Sequence, residues 1–234
     1  MPESWLRSFW LLLKVVRMVA KPKLTDRTLF IGQTGSGKTY ASLRWLGWWY
    51  PHRQIIVLDT KADDAFDRLD AEMVDRASAL VKEANRGLKR RPILVYRPRA
   101  EELADQELLD RVADWIYRRG HTALYVDEVS QVTDGARASA GWLNVITRGR
   151  KRGVAVIGGT QRPVWIPRIW LTEAQHVLKF WLADERDRQR VAEATHPDMA
   201  AQVEDPHGFH YYRQGSRNVE YYPSIEKALG IKEA

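Results

Sequence analysis

One stretch, Gly32-Gln33-Thr34-Gly35-Ser36-Gly37-Lys38-Thr39, constrains the fold more than any other feature of the chain. It fits the pattern of a phosphate-binding loop, with Gly32, Gly37, Lys38 and Thr39 at the required positions. Thr28 to Ile31 before it reads as a short strand, and Lys38 to Trp48 after it reads as a helix. Each residue type has a physical reason. The glycines let the backbone wrap closely around phosphates, so that amide hydrogens and the helix N-terminus face the negative charge. Lys38 then reaches the β- and γ-phosphates, and the Thr39 hydroxyl ligates magnesium.

Further along, apolar runs alternate with helical patterns. Strands are expected at Gln54 to Asp59, Ile93 to Arg97, Ala123 to Val126, Val154 to Thr160 and Ala174 to Leu182. Helices are expected over Ala62 to Asn85, Glu101 to Arg119, Ser139 to Thr147 and Glu185 to Ala194. Continuous apolar strands between helices predict an α/β fold, with a mostly parallel sheet covered on both faces. The tyrosine-rich runs of His207 to Pro223 flank Gln214-Gly215-Ser216 and predict a C-terminal β-hairpin. The expected division is an N-terminal helix over 1–21, a nucleotide-binding core over 22–204, and a hairpin and tail over 205–234. His207 and His210 are expected on opposite faces of one strand and receive no role.

Two further segments carry chemistry. Ala123 to Val126 delivers Asp127 and Glu128 to the C-terminal edge of the sheet, where open α/β sheets bind ligands. Asp127 is positioned to hold the magnesium shell, and Glu128 to polarise an attacking water. In Arg148 to Pro163, Gln161 ends a strand that would fit between the loop-bearing strand and the Asp127 strand. There its amide would sense the γ-phosphate or orient water. Arg148, Arg150 and Arg152 precede that strand and so lie at its opposite end. From there they would reach a neighbouring subunit's nucleotide, as an arginine finger does, or form a solvated basic turn.

The phosphate-binding loop, Leu58-Asp59-Thr60-Lys61, Tyr125-Val126-Asp127-Glu128 and Gly149 to Pro163 occur in the order seen in the HerA/FtsK superfamily. From Leu24 to Thr195 the chain resembles the small genome-packaging ATPases of tailless, internal-membrane viruses and phages in that superfamily. The resemblance implies a RecA-like core, a homo-oligomeric ring, usually a hexamer, and ATP hydrolysis with Mg2+ to translocate double-stranded DNA. It implies phosphate and magnesium binding by Lys38 and Thr39, Walker-B roles for Asp127 and Glu128, a sensor at Gln161, and a finger best matched by Arg150. The host cytoplasm or the packaging vertex of the virion is the place it implies. Related alternatives are a plasmid-transfer or repair translocase, or a membrane-associated assembly factor resembling the zonula-occludens-toxin group.

Composition agrees with a polyanionic partner. The net charge is +7, and the chain has no cysteine, which excludes disulfides, thiolate metal sites and a cysteine nucleophile. Gly135 to Thr172 contains seven basic residues and no acid, and Arg86 to Arg99 contains six basic residues and no acid. Such blocks suit phosphate neutralisation without base readout. The loop Gln131 to Gly141, just after the carboxylates, could couple hydrolysis to movement. Ser4 to Ala20 reads as a basic amphipathic helix, with Arg7, Lys14 and Arg17 on one face. It is too interrupted to span a membrane. Its expected contacts are its own core, a neighbouring subunit, a membrane surface or a capsid vertex.

Overall fold

The computed structural model describes residues 19–50, 52–87, 89, 92–135 and 137–230. The expected helix over 1–21 lies almost wholly outside them; only its last residues are described. There Val19 is buried, and its N–H donates to the Ala228 carbonyl at 2.9 Å.

The chain runs β1 (Arg27–Ile31), α1 (Lys38–Leu46), β2 (Gln54–Leu58), α2 (Asp64–Asp67), β3 (Glu72–Val74), α3 (Ala77–Ala84) and β4 (Ile93–Tyr96). It continues through α4 (Ala100–Ala104), α5 (Gln106–Arg119), β5 (Thr122–Val126), α6 (Ala140–Leu143), β6 (Ala155–Thr160), α7 (Arg168–Thr172) and β7 (His176–Lys179). It closes with α8 (Glu185–Ala194), β8 (Phe209–Arg213), β9 (Glu220–Tyr222) and α9 (Ile225–Leu229). Among the described residues the strands form one sheet in the order β3-β4-β2-β5-β6-β1-β7-β8-β9. Pairing is parallel from β3 through β7, and the hairpin β8–β9 adds on antiparallel to β7. The chain is thus the expected α/β protein with a mostly parallel sheet and a C-terminal hairpin.

β1, β2, β5 and β6 are buried along their whole length, which explains why their sequences are mostly apolar, with polar residues only toward the strand ends. Alternate residues feed two cores. Leu29, Ile56, Leu124 and Val156 pack with α3, α5 and α8 residues such as Leu80, Ile116 and Val191. Phe30, Val57, Tyr125 and Ile157 pack on the other face with Trp45 of α1, Phe66 of α2, and Ile225 of α9. Three of the tryptophans, Trp45, Trp49 and Trp142, are fully buried core residues.

Several expected boundaries change. Ala62 to Asn85 is not one helix: it holds α2, the edge strand β3 and α3. Asp63 caps α2 by accepting from the Ala65 N–H, and β3 is short and polar because only one edge of it is paired. The expected helix from Glu101 divides at Asp105, whose carboxylate caps α5 by accepting from the Leu108 N–H at 2.9 Å. The expected helix Ser139 to Thr147 is α6 followed by a π-helical turn, Asn144–Arg148, and a 3-10 turn, Gly149–Arg152. The strand expected over Ala174 to Leu182 shortens to β7. His207 stands before β8, so only His210 is on that strand.

Candidate nucleotide site

The adjacency of β1, β6 and β5 brings three strand ends together. β6 lies between β1 and β5, with Ile31 beside Thr160 and Val126 beside Gly158. Gly159 makes this approach possible, because a Cβ there would lie 2.3 Å from the Asp127 carbonyl oxygen. Phosphate loop, carboxylates and Gln161 therefore share one edge of the sheet.

The loop is held from both sides: the Gly32 N–H donates to the Thr160 carbonyl at 3.0 Å, and the Gln33 N–H to the Trp181 carbonyl at 3.2 Å. Thr34 and Gly35 are exposed, whereas Gln33 and Thr39 are half-buried. Gly37 precedes α1 at φ 85°, a left-handed conformation in which a side chain would be strained. The Ser36 hydroxyl is buried without a hydrogen-bond partner among the described residues, an orphan that a phosphate oxygen would satisfy.

Lys38 is buried, and burial pushes its pKa down, against the pull of Asp127 and Glu128. Asp127 is 1% exposed, and burial pushes its pKa up, opposed by Lys38 and Lys61. A desolvated carboxylate of this kind, with a hydroxyl at Thr39 on the facing loop, fits a hard divalent cation with oxygen preference. The Asp127 Oδ1 accepts from the Tyr125 hydroxyl at 3.2 Å, which in turn accepts from Ser42 of α1 at 2.9 Å. Glu128 is buried too. Its Oε2 accepts from Lys61 Nζ at 2.7 Å and from the Gln161 N–H at 3.2 Å, and its Oε1 accepts from the Ser130 hydroxyl at 3.0 Å.

Lys61, Ser130 and Tyr125 had no role in the sequence reading. The signal for Lys61 is topological: β2 pairs with β5, so Leu58 lies beside Val126 and the residues that follow each strand become neighbours. His207, also without a role, approaches Gly37, where a Cβ would lie 3.2 Å from its Nδ1.

The three arginines lie elsewhere. Arg148, Arg150 and Arg152 are exposed and precede β6, at the end of the sheet remote from the phosphate loop. Arg148 donates to Asn144 at 3.2 Å, and Arg152 is tied to the Arg118 carbonyl. Arg150 makes no side-chain hydrogen bond or ion pair among the described residues. The basic blocks are less available than their sequences suggest. Arg97 pairs with Asp59 and Asp67, Arg99 with Asp75, Arg86 with Glu83, and Arg162 with Asp184 and Asp187.

Comparison with known proteins agrees with this geometry. The chain is 29% identical over 211 residues to the DNA packaging ATPase P9 of Enterobacteria phage PRD1, covering 86% of this chain and 87% of the relative. The genome-packaging NTPase B204 of Sulfolobus turreted icosahedral virus 2 with bound sulfate superimposes with a TM-score of 0.71 at 16% identity, over 86% of this chain and 98% of that one. Its complex with AMPPCP gives 0.70. VirB4 of Thermoanaerobacter pseudethanolicus gives 0.61 at 13% identity, over 94% and 93% of the two chains. No protein-family profile matches the chain. The chain thus has the fold of the P-loop NTPases and resembles the viral genome-packaging ATPases in sequence and in architecture.

Proposed function

We propose that the chain is the ATPase of a viral genome-packaging motor, which hydrolyses ATP as a ring, favoured as a hexamer, and translocates double-stranded DNA. The observation that carries this reading is the facing of a phosphate loop and an Asp127–Glu128 pair across a Gln161 strand, in a chain similar over most of its length to a phage packaging ATPase.

In this reading Gly32 to Thr39 bind the triphosphate: the loop amides other than those of Gly32, Gln33 and Ser36, which are tied to the Thr160, Trp181 and Gln33 carbonyls, face its oxygens, and Lys38 supplies the charge. Thr39 and Asp127 hold Mg2+, which when bound screens the phosphate charge and fixes the γ-phosphoryl group for attack. Glu128 takes the proton from the attacking water, and Gln161 senses the γ-phosphate. Arg150 serves a neighbour's nucleotide, with Arg148 as the second candidate. That role is supported by exposure, freedom from internal partners and remoteness from its own phosphate loop.

DNA contact is supported by the net positive charge and the unpaired part of the Gly135 to Thr172 block. The expected site of action is the host cytoplasm or the packaging vertex. No helix among the described residues is long and apolar enough to cross a membrane. Membrane or capsid contact is assigned to the N-terminal segment.

The test is ATP turnover with and without duplexes of unrelated sequence, across a salt titration. Stimulation by every duplex, fading as salt rises, is the expected result. Binding should weaken with a log–log slope of about −0.9 per phosphate contacted. Turnover indifferent to DNA, or tied to one sequence, argues against a packaging translocase.

A further inference from the structure

The carboxylate of Glu128 is held asymmetrically. Its Oε2 receives two donors, Lys61 Nζ at 2.7 Å and the Gln161 N–H at 3.2 Å, which fill both lone pairs of that oxygen. Among the described residues its Oε1 receives only the Ser130 hydroxyl, at 3.0 Å, which leaves one lone pair free. A general base needs one such lone pair, in a fixed direction, at the water it activates.

The loop that carries Lys61 is itself fixed. Asp59, with a fully buried side chain, accepts from the Lys61 N–H at 3.3 Å and the Asp63 N–H at 3.1 Å through Oδ1, and from Arg97 Nε at 2.7 Å through Oδ2. Ala62 turns the chain at φ 54°, a conformation unfavourable for alanine and upheld by this surrounding network. The Lys61 backbone is thus anchored before its side chain reaches across to Glu128. Lys61 remains about one third exposed, while the Glu128 side chain is 4% exposed.

We propose that Lys61 is a positioning residue for hydrolysis: it pins Glu128 Oε2 so that Oε1 presents its free lone pair to the attacking water. The inference rests on the ATP-hydrolysis reading. The water oxygen bonds to the γ-phosphorus as the β,γ-bridging bond breaks, and that electron pair leaves with ADP. The water proton passes to Glu128 Oε1 and returns to solvent or phosphate. Lys61 neither bonds to phosphorus nor moves a proton.

The experiment compares the parent chain with Lys61→Met, which keeps the aliphatic stem, Lys61→Arg, and Lys61→Met combined with Glu128→Gln. Steady-state turnover, the Kd of AMPPCP and Tm are measured for each. Lys61→Met is expected to lose roughly 10- to 100-fold in kcat, the scale of misplacing a reacting group. KM, AMPPCP affinity and Tm stay near the parent's. Lys61→Arg recovers part of the loss, and Lys61→Met adds no further loss to Glu128→Gln. Parent-like kcat in Lys61→Met overturns the inference and leaves the ATPase reading intact. A loss of AMPPCP affinity in step with turnover also overturns it and assigns Lys61 to the phosphates instead. Absence of turnover in the parent overturns the ATPase reading and this inference with it.

Discussion

The Tyr125 hydroxyl donates to Asp127 Oδ1 at 3.2 Å while accepting from Ser42 of α1, so the strand bearing the carboxylates and the helix behind the phosphate loop share one buried chain of hydrogen bonds. Tyr125 is fully buried, and burial beside Asp127 pushes its phenol well above its ordinary pKa, which keeps it a donor. Tyr125→Phe should cost about 1–2 kcal/mol through the lost bond to a buried carboxylate, seen as a fall of several degrees in Tm for a chain of this size. An unchanged Tm would show that the chain of bonds contributes nothing to stability.

Glu128→Gln should retain nucleotide and lose hydrolysis, because the amide lacks a basic oxygen for the water proton while the phosphate cradle is untouched. The expected loss is roughly 10²–10⁴-fold in kcat, with AMPPCP affinity near the parent's. Lys38→Ala should instead lose affinity itself. Turnover close to the parent's in Glu128→Gln would remove Glu128 from the reaction.

Arg150 offers a test of assembly. Arg150→Ala subunits keep an intact phosphate loop, and Glu128→Gln subunits keep an intact Arg150. Mixed rings should therefore recover part of the turnover that each variant lacks alone. A monomeric preparation with full activity would sink the role in trans.

His210 sets a pH dependence of stability. Burial, with Lys179 across the β7–β8 pair, lowers its pKa to about 4 against the opposing pull of Asp198. The folded state therefore holds a neutral imidazole where the unfolded chain takes a proton near pH 6.5. The His210 contribution is complete above about pH 6.5 and is lost as pH falls toward 4, by up to about 3 kcal/mol. Denaturant unfolding of the parent and His210→Gln over this range should show the parent losing more stability. Parallel pH profiles would contradict the assignment.

The central strands were readable because a strand buried on both faces must be largely apolar, and β2, β5 and β6 each carry only one polar residue, at a strand end. The edge strand β3 escaped notice for the opposite reason: Glu72-Met73-Val74 has water on one side and carries no such run. The break at Asp105 was legible in principle as a capping carboxylate, but an amphipathic stripe continues through it. Internal ion pairing of Arg97, Arg99 and Arg162 was invisible because their acidic partners are 22 to 38 positions away in some cases, as with Asp59 and Asp184.

The sequence by itself determined the phosphate loop, the carboxylates and the alternation of strands and helices. These are local: the geometry of glycine, a strand's solvent exposure and a helix's repeat are set by neighbouring residues. Only the tertiary structure decided which strand ends meet. Lys61 faces Glu128 because β2 lies beside β5, and Gln161 joins them because β6 follows in the sheet. Strand order costs loop entropy that is recovered only through contacts between distant segments, so it is a property of the whole chain's packing rather than of any stretch within it.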